Sequence, residues 1–124
     1  MARISAVIVE DEILIRMYTR RQLERLGVEI VGETGKSEEV IPLIHNTRPD
    51  IVFMDIRIEG DRDGMDLAGD FAERMNIPVV FVSAYELGAN ELPNHSWCLG
   101  VIQKPLSAPA ARQILRQLES QADA

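Results

Sequence analysis

The chain contains a single cysteine, Cys98, so no internal disulfide can form and a reducing compartment suits it. A lone thiol of this kind reads as a small buried hydrophobe rather than a nucleophile. Positive charge is also scarce: 13 Lys and Arg stand against 20 Asp and Glu, a formal net charge of -7. Binding to a nucleic-acid backbone rests on clustered cations, so that class of partner is excluded, leaving protein, a small ion, or both. Long apolar runs are missing as well. The opening stretch Met1 to Val9 is apolar, but acid follows at Glu10, which is too short for a signal peptide or a membrane span. A cytoplasmic protein without a membrane anchor is expected. Internal repeats, low-complexity tracts and Gly/Ser linkers are lacking too, and 124 residues suit one domain with no room for a second.

What is present is a regular alternation. Short β-branched runs stand at Ile4 to Val9, Glu29 to Val31, Ile51 to Met54, Val79 to Val82 and Val101 to Ile102. Most lack polar alternation, the pattern of strands buried on both faces in a parallel sheet. Between them lie helical patterns. Leu67, Ala68, Phe71, Ala72 and Met75 repeat at three and four residues, as do Ala111, Ile114, Leu115 and Leu118. Ile13 to Leu26 carries an untidy stripe, and Glu38 to Thr47 contains Pro42, which removes a backbone donor and predicts a kink or a late start. Tyr85 to Trp97 is the weakest helix candidate, because Gly88, Asn90, Pro93 and Asn94 oppose a regular helix. The expectation is an α/β fold: a doubly wound five-stranded parallel sheet in the flavodoxin-like order 2-1-3-4-5, with helices on both faces.

In such a sheet the ligand site lies beyond the carboxyl ends of the strands, where the strand order reverses. The first strand ends in Val9-Glu10-Asp11-Glu12 and the third in Phe53-Met54-Asp55, so carboxylates are expected to converge there. Clustered carboxylates raise one another's pKa unless a cation neutralises them. Oxygen-only ligands suit Mg2+, with Glu10, Asp11 and Asp55 as candidates and the backbone carbonyl of Arg57 completing the set. Ser83 and Lys104 end the fourth and fifth strands and are expected to face the same pocket. A cation and a hydroxyl opposite a metal-bound carboxylate match the needs of phosphoryl transfer, with Asp55 as nucleophile.

These segments, Val9-Glu10-Asp11-Glu12, Met54-Asp55-Ile56, Ser83 and Gln103-Lys104-Pro105, resemble in order the receiver domain of bacterial response regulators. The resemblance covers essentially the whole chain, residues 1–124, with no output domain. It implies that Asp55 is the phosphoacceptor, that Glu10 and Asp11 hold Mg2+, that Ser83 is the switch hydroxyl and that Lys104 contacts the phosphoryl group. It also implies a cis Lys104-Pro105 bond. The module would take its phosphoryl group from a sensor histidine kinase or a histidine phosphotransfer protein in a two-component phosphorelay, and signal by changed binding to a downstream protein. It would not be an enzyme, although it would assist its own phosphorylation and dephosphorylation. Where most receivers carry an aromatic switch residue, three positions before the fifth-strand lysine, this chain has Val101. Pro78-Val79-Val80-Phe81-Val82-Ser83-Ala84-Tyr85 instead resembles the Pro-Phe-x-Phe-Ala-Thr-Gly-Tyr signature of a subset of single-domain receivers, with Ser83 for Thr and Ala84 for Gly. That subset implies a kinase of the HWE or HisKA_2 type, and Tyr85 is expected to take part of the role vacant at Val101, with Ser83 to Trp97 as the moving part.

Plainer readings accompany these. Asp11 or Glu12 alone could merely favour the first turn of a helix. Glu59-Gly60-Asp61-Arg62-Asp63-Gly64 with Asp70 approximates a calcium loop, but a strand rather than a helix precedes it, so a solvated loop leading into a helix at Gly64 is expected. His45 and His95 stand apart from other ligand types and read as surface residues. Met65 and Met75 read as core packing and Trp97 as a packed loop anchor. The competing functions are a small Mg2+-dependent phosphohydrolase, for which no substrate-binding cap is evident, and a scaffold that binds without phosphorylation, which the clustered acids oppose.

Overall fold

The computed structural model describes residues 3–58, 60, 62–85, 87 and 91–122. Five strands form one sheet: β1 (Ser5–Val9), β2 (Glu29–Thr34), β3 (Ile51–Asp55), β4 (Val79–Ser83) and β5 (Cys98–Gln103). Their order is β2-β1-β3-β4-β5 and every pairing is parallel. The central strands β3 and β4 are buried at every position, as strands covered on both faces must be, whereas the edge strands β2 and β5 are only partly buried.

Four helices supply the cover: α1 (Ile13–Arg25), α2 (Ser37–Thr47), α3 (Gly64–Met75) and α4 (Ala108–Ala122). Side chains alternate across a strand, so each strand feeds two cores. Val7, Val9, Val52, Met54 and Phe81 pack with Val40 and Ile44 of α2 and Leu67 and Phe71 of α3. On the other face Ala6, Ile8, Phe53, Val80 and Val82 pack with Leu23 of α1 and Ala111 and Leu115 of α4. Phe53, Phe71 and Phe81 are fully buried, each contributing about 1.5–3 kcal/mol of hydrophobic stabilisation. Among the described residues no helix is long and apolar enough to cross a membrane.

Several local expectations need correction. Pro42 does not delay α2, which begins at Ser37 and runs through it. Pro42 is exposed, while Val40 and Ile44 are buried in the core, so packing holds the helix despite one missing donor. α2 and α3 both stop at a left-handed residue, Arg48 (φ 49) and Asn76 (φ 55), with a proline one or two positions on. β2 and β5 are longer than their β-branched centres, because pairing to β1 and β4 carries them to Thr34 and Gln103. Gly100, at φ 133, falls beside the register shift between Val79 and Val80, where a left-handed residue is least costly as glycine. Cys98 is half-buried rather than fully buried, and burial pushes its thiol pKa up. The described residues between β4 and β5 hold no α-helix; Gly88 and Asn90 lie outside the described residues.

Candidate functional site: an acidic pocket at the carboxyl ends of the strands

The sheet register builds the site. β1 and β3 are neighbours with Val9 opposite Met54, so the next residue of each, Glu10 and Asp55, emerge side by side. Both are buried, at 3% and 6% exposure, whereas Asp11 is exposed. Carboxylate oxygens of Glu10, Asp11 and Asp55 all lie within 4.8 Å of one another. β5 brings the counter-charge. The backbone N–H of Lys104 donates to the Ser83 carbonyl at 2.7 Å, continuing the β4–β5 ladder, and the Lys104-Pro105 bond is cis, as expected. The Lys104 ammonium lies 2.7 Å from Glu10 Oε1 and 3.0 Å from Asp55 Oδ2.

Backbone donors occupy other carboxylate oxygens. Glu10 Oε2 accepts the Glu12 N–H at 3.1 Å, and Asp55 Oδ1 accepts the Arg57 N–H at 3.2 Å. Gly64 lets α3 start against this edge, since a Cβ there would collide with the Asp55 carbonyl and the Met54 side chain; its N–H donates to the Ile56 carbonyl at 2.7 Å. Asp63, whose carboxylate accepts the Asp66 N–H at 2.8 Å, caps the same helix.

Burial raises the Glu10 pKa, and the neighbouring Asp55 charge adds to that, against the lowering effect of its bonds to Lys104 and Glu12. Desolvation and the adjacent Glu10 raise the Asp11 pKa. Burial pulls Lys104 downward, but its bonds to Glu10 and Asp55 outweigh this and leave its pKa raised. Among the described residues three carboxylates thus cluster beside one ammonium, a deficit of positive charge that a second cation would relieve. The donor set fits Mg2+: all oxygen, with Asp11 open to solvent so that waters can complete the shell.

Glu10, Asp11, Asp55 and Lys104 are therefore brought together. Ser83 is buried at the same edge, one residue past Val82, the partner of Asp55 in the β3–β4 register. Its Oγ accepts the Tyr85 N–H at 3.0 Å. Tyr85 is 66% exposed, and the Arg57 guanidinium lies over its ring, 5.7 Å from the centroid. Val101 is half-buried and packs on the core shared with α3. Trp97 is a packed anchor, edge-on to Phe81 and stacked with His95, while His45 is exposed. In the stretch that approximates a calcium loop, Arg62 pairs with Asp66 and Asp70; Glu59 and Asp61 lie outside the described residues. Sequence reading missed two supports of the acidic pair. Gly35 passes directly beneath Asp11, and the Arg16 guanidinium donates to the Glu10 carbonyl at 2.8 Å. The only signal for Arg16 was a cation interrupting the stripe of the first helix.

A family model described as the response regulator receiver domain matches residues 6–116. The chain is 40% identical over 79 residues to the transcriptional regulatory protein PdtaR of Mycobacterium tuberculosis, covering 64% of this chain and 38% of that protein. It is 33% identical over 123 residues to the sensory transduction protein LytT of Bacillus cereus, covering 95% and 48%. The chain therefore spans less than half the length of these two relatives. Among solved structures, it is similar to the signal receiver domain of a modulated diguanylate cyclase from Desulfovibrio desulfuricans G20, with TM-score 0.83, 26% identity and coverage of 97% and 96%. The receiver domain of the response regulator PhyR from Erythrobacter litoralis aligns with TM-score 0.80, 25% identity and coverage of 95% and 91%.

Proposed function

The chain belongs to the response regulator receiver domain family, and from that premise we propose that it is a phosphoacceptor module of a two-component phosphorelay, phosphorylated on Asp55. The observation that carries this reading is the convergence of Glu10, Asp11, Asp55 and the Lys104 ammonium at one strand edge. An Asp55 carboxylate oxygen attacks the phosphorus of a phosphohistidine. A P–O bond forms as the P–N bond breaks, and the imidazole leaves with its electron pair and takes up a proton. Mg2+ held by Glu10, Asp11, Asp55 and the Arg57 carbonyl would neutralise the phosphoryl oxygens. Lys104 already touches Asp55 and would pair with an oxygen of the transferred group, while the Ser83 hydroxyl would donate to another. In this scheme the phosphoryl group ends on the chain's own Asp55, so the chain would act as a signalling acceptor that assists its own phosphorylation and hydrolysis rather than as an enzyme.

The partner side of the reading rests on α1. Ile13, Leu14, Met17 and Tyr18 are four of the five large hydrophobic residues exposed among the described residues, and they lie on one helix that starts beside the acidic pair. An apolar patch next to the reacting carboxylate suits docking of a histidine kinase or phosphotransfer protein, the HWE or HisKA_2 type being the one the Pro78 to Tyr85 segment suggests. Arg57, Ser83 and Tyr85 would carry the change on to a downstream protein, in a reducing cytoplasm. Intact mass after incubation with acetyl phosphate and Mg2+ tests the core of the proposal. One added phosphoryl group, labile to hydroxylamine and abolished by Asp55→Asn, is expected, and undiminished labelling of that variant would overturn it.

A further inference from the structure

Arg16 is the fourth residue of α1, and its guanidinium turns back toward the acidic pair. Nη1 donates to the Glu10 carbonyl at 2.8 Å, and Nε faces Glu33 Oε1 at 3.8 Å. Glu33, on β2, is itself held by Arg20 Nη1 at 2.9 Å. The other side of Glu10 is fixed as well, because its N–H donates to the Thr34 carbonyl at 2.9 Å. Below, the chain leaves no slack. A Cβ on Gly35 would stand 2.7 Å from the Asp11 Cα and 3.0 Å from both Arg16 Nη1 and the Glu10 carbonyl oxygen. Thr34 is tied in turn, its Oγ1 donating to Glu39 at 2.5 Å and accepting the Lys36 N–H at 3.2 Å.

The Glu10–Asp11 segment thus leaves β1 clamped from β2 on one side and from α1 on the other. That clamp opposes a specific force. Glu10, Asp11 and Asp55 repel one another as carboxylates, and Asp11 is the exposed member of the three. We infer that Arg16, seated by Glu33, is a positioning residue for the metal site, fixing the Glu10–Asp11 segment so that its two carboxylates stay aimed at the ion shared with Asp55. This inference rests on the metal reading above. Groups that orient a metal's ligands typically contribute about 10-fold or more in metal affinity without touching the ion.

The test is calorimetric titration of the full chain with Mg2+, with phosphorylation by acetyl phosphate followed across the same Mg2+ range. Arg16→Ala is expected to raise the Mg2+ dissociation constant about 10-fold while leaving the rate at saturating Mg2+ unchanged. Arg16→Lys, which keeps a donor for the Glu10 carbonyl, should restore most of the affinity. A residue that merely pinned α1 to β2 would lower the melting temperature and leave the Mg2+ constant alone, and that result in folded Arg16→Ala overturns the inference. Should Arg16→Ala fail to fold, Glu33→Gln supplies the reading: weaker Mg2+ binding supports the role, and unchanged binding overturns it. The wild-type and Asp11→Ala proteins separate this from the premise. Absence of Mg2+ binding by the wild type, or binding that Asp11→Ala leaves intact, removes the metal site itself and the inference with it.

Discussion

α1 and α3 cover opposite faces of one sheet and use their apolar residues in opposite ways. α3 turns Leu67, Ala68, Phe71 and Ala72 inward, and all four are buried. α1 buries only Thr19 and Leu23, and leaves Leu14 at 79% exposure and Ile13 at 62%. Their starts differ in the same sense. The Asp63 side chain caps α3, whereas Glu12, the corresponding residue of α1, makes no side-chain cap. α3 is a helix made by the core, and α1 is a helix that leaves most of its large apolar side chains in solvent.

The largest effect that would sharpen this contrast is on stability. Phe71→Ala should cost about 3–5 kcal/mol in urea unfolding, while Leu14→Ala should stay within about 0.5 kcal/mol of wild type. Equal losses at the two positions would erase the distinction. Next comes docking: the paired change Leu14→Ala with Met17→Ala should slow phosphotransfer from a cognate kinase by about 10-fold or more, consistent with losing part of an interface hot spot. Labelling by acetyl phosphate should not change, and equal slowing with both donors would place the defect in the pocket instead. Smaller again is the cap. Asp63→Ala should lower stability by about 1 kcal/mol, with Glu12→Ala close to neutral in the same melts.

The smallest effect depends on pH. Arg62 holds the Asp66 carboxyl below its ordinary range. A carboxylate lowered in the fold adds stability above its unfolded pKa and loses it as pH falls through the lowered value. The difference between wild type and Arg62→Gln should therefore be present near neutrality and close in acid. Both groups are at the surface, so the Asp66 titration in carboxyl-detected NMR is the sensitive readout. In Arg62→Gln that titration should return toward ordinary; α1, with no acid in its first turn, has no counterpart to titrate.

The sheet and the pocket were legible because they obey rules written along the chain. Strand burial makes continuous apolar runs, and a parallel sheet places every strand's carboxyl end on one edge, so Glu10, Asp55, Ser83 and Lys104 announce themselves as polar residues ending apolar segments. α1 was read only as untidy. Its outward apolar residues break the periodicity that identifies a core-facing stripe, and a sequence does not say whether such a break is noise or a surface. Pro42 misled in the opposite direction, since a local rule about backbone donors gave way to the packing of Val40 and Ile44. Arg16 showed only as a cation interrupting the α1 stripe, because a side chain bonded to a backbone carbonyl asks nothing of the residue whose carbonyl it takes. Gly64, by contrast, was placed correctly at a helix start, but the reason for it, the closeness of Asp55, belongs to three dimensions.

Lys104 lies 49 positions beyond Asp55 and reaches the pocket on β5, the edge strand that pairs with β4 alone. A ribosome builds the chain from its amino end, so the residues of β1, β2, β3 and β4 are all joined before Lys104, whose ammonium faces Glu10 and Asp55. A chain cut short before Lys104 would therefore carry the acids of the site without this ammonium, and would lack α4 as well.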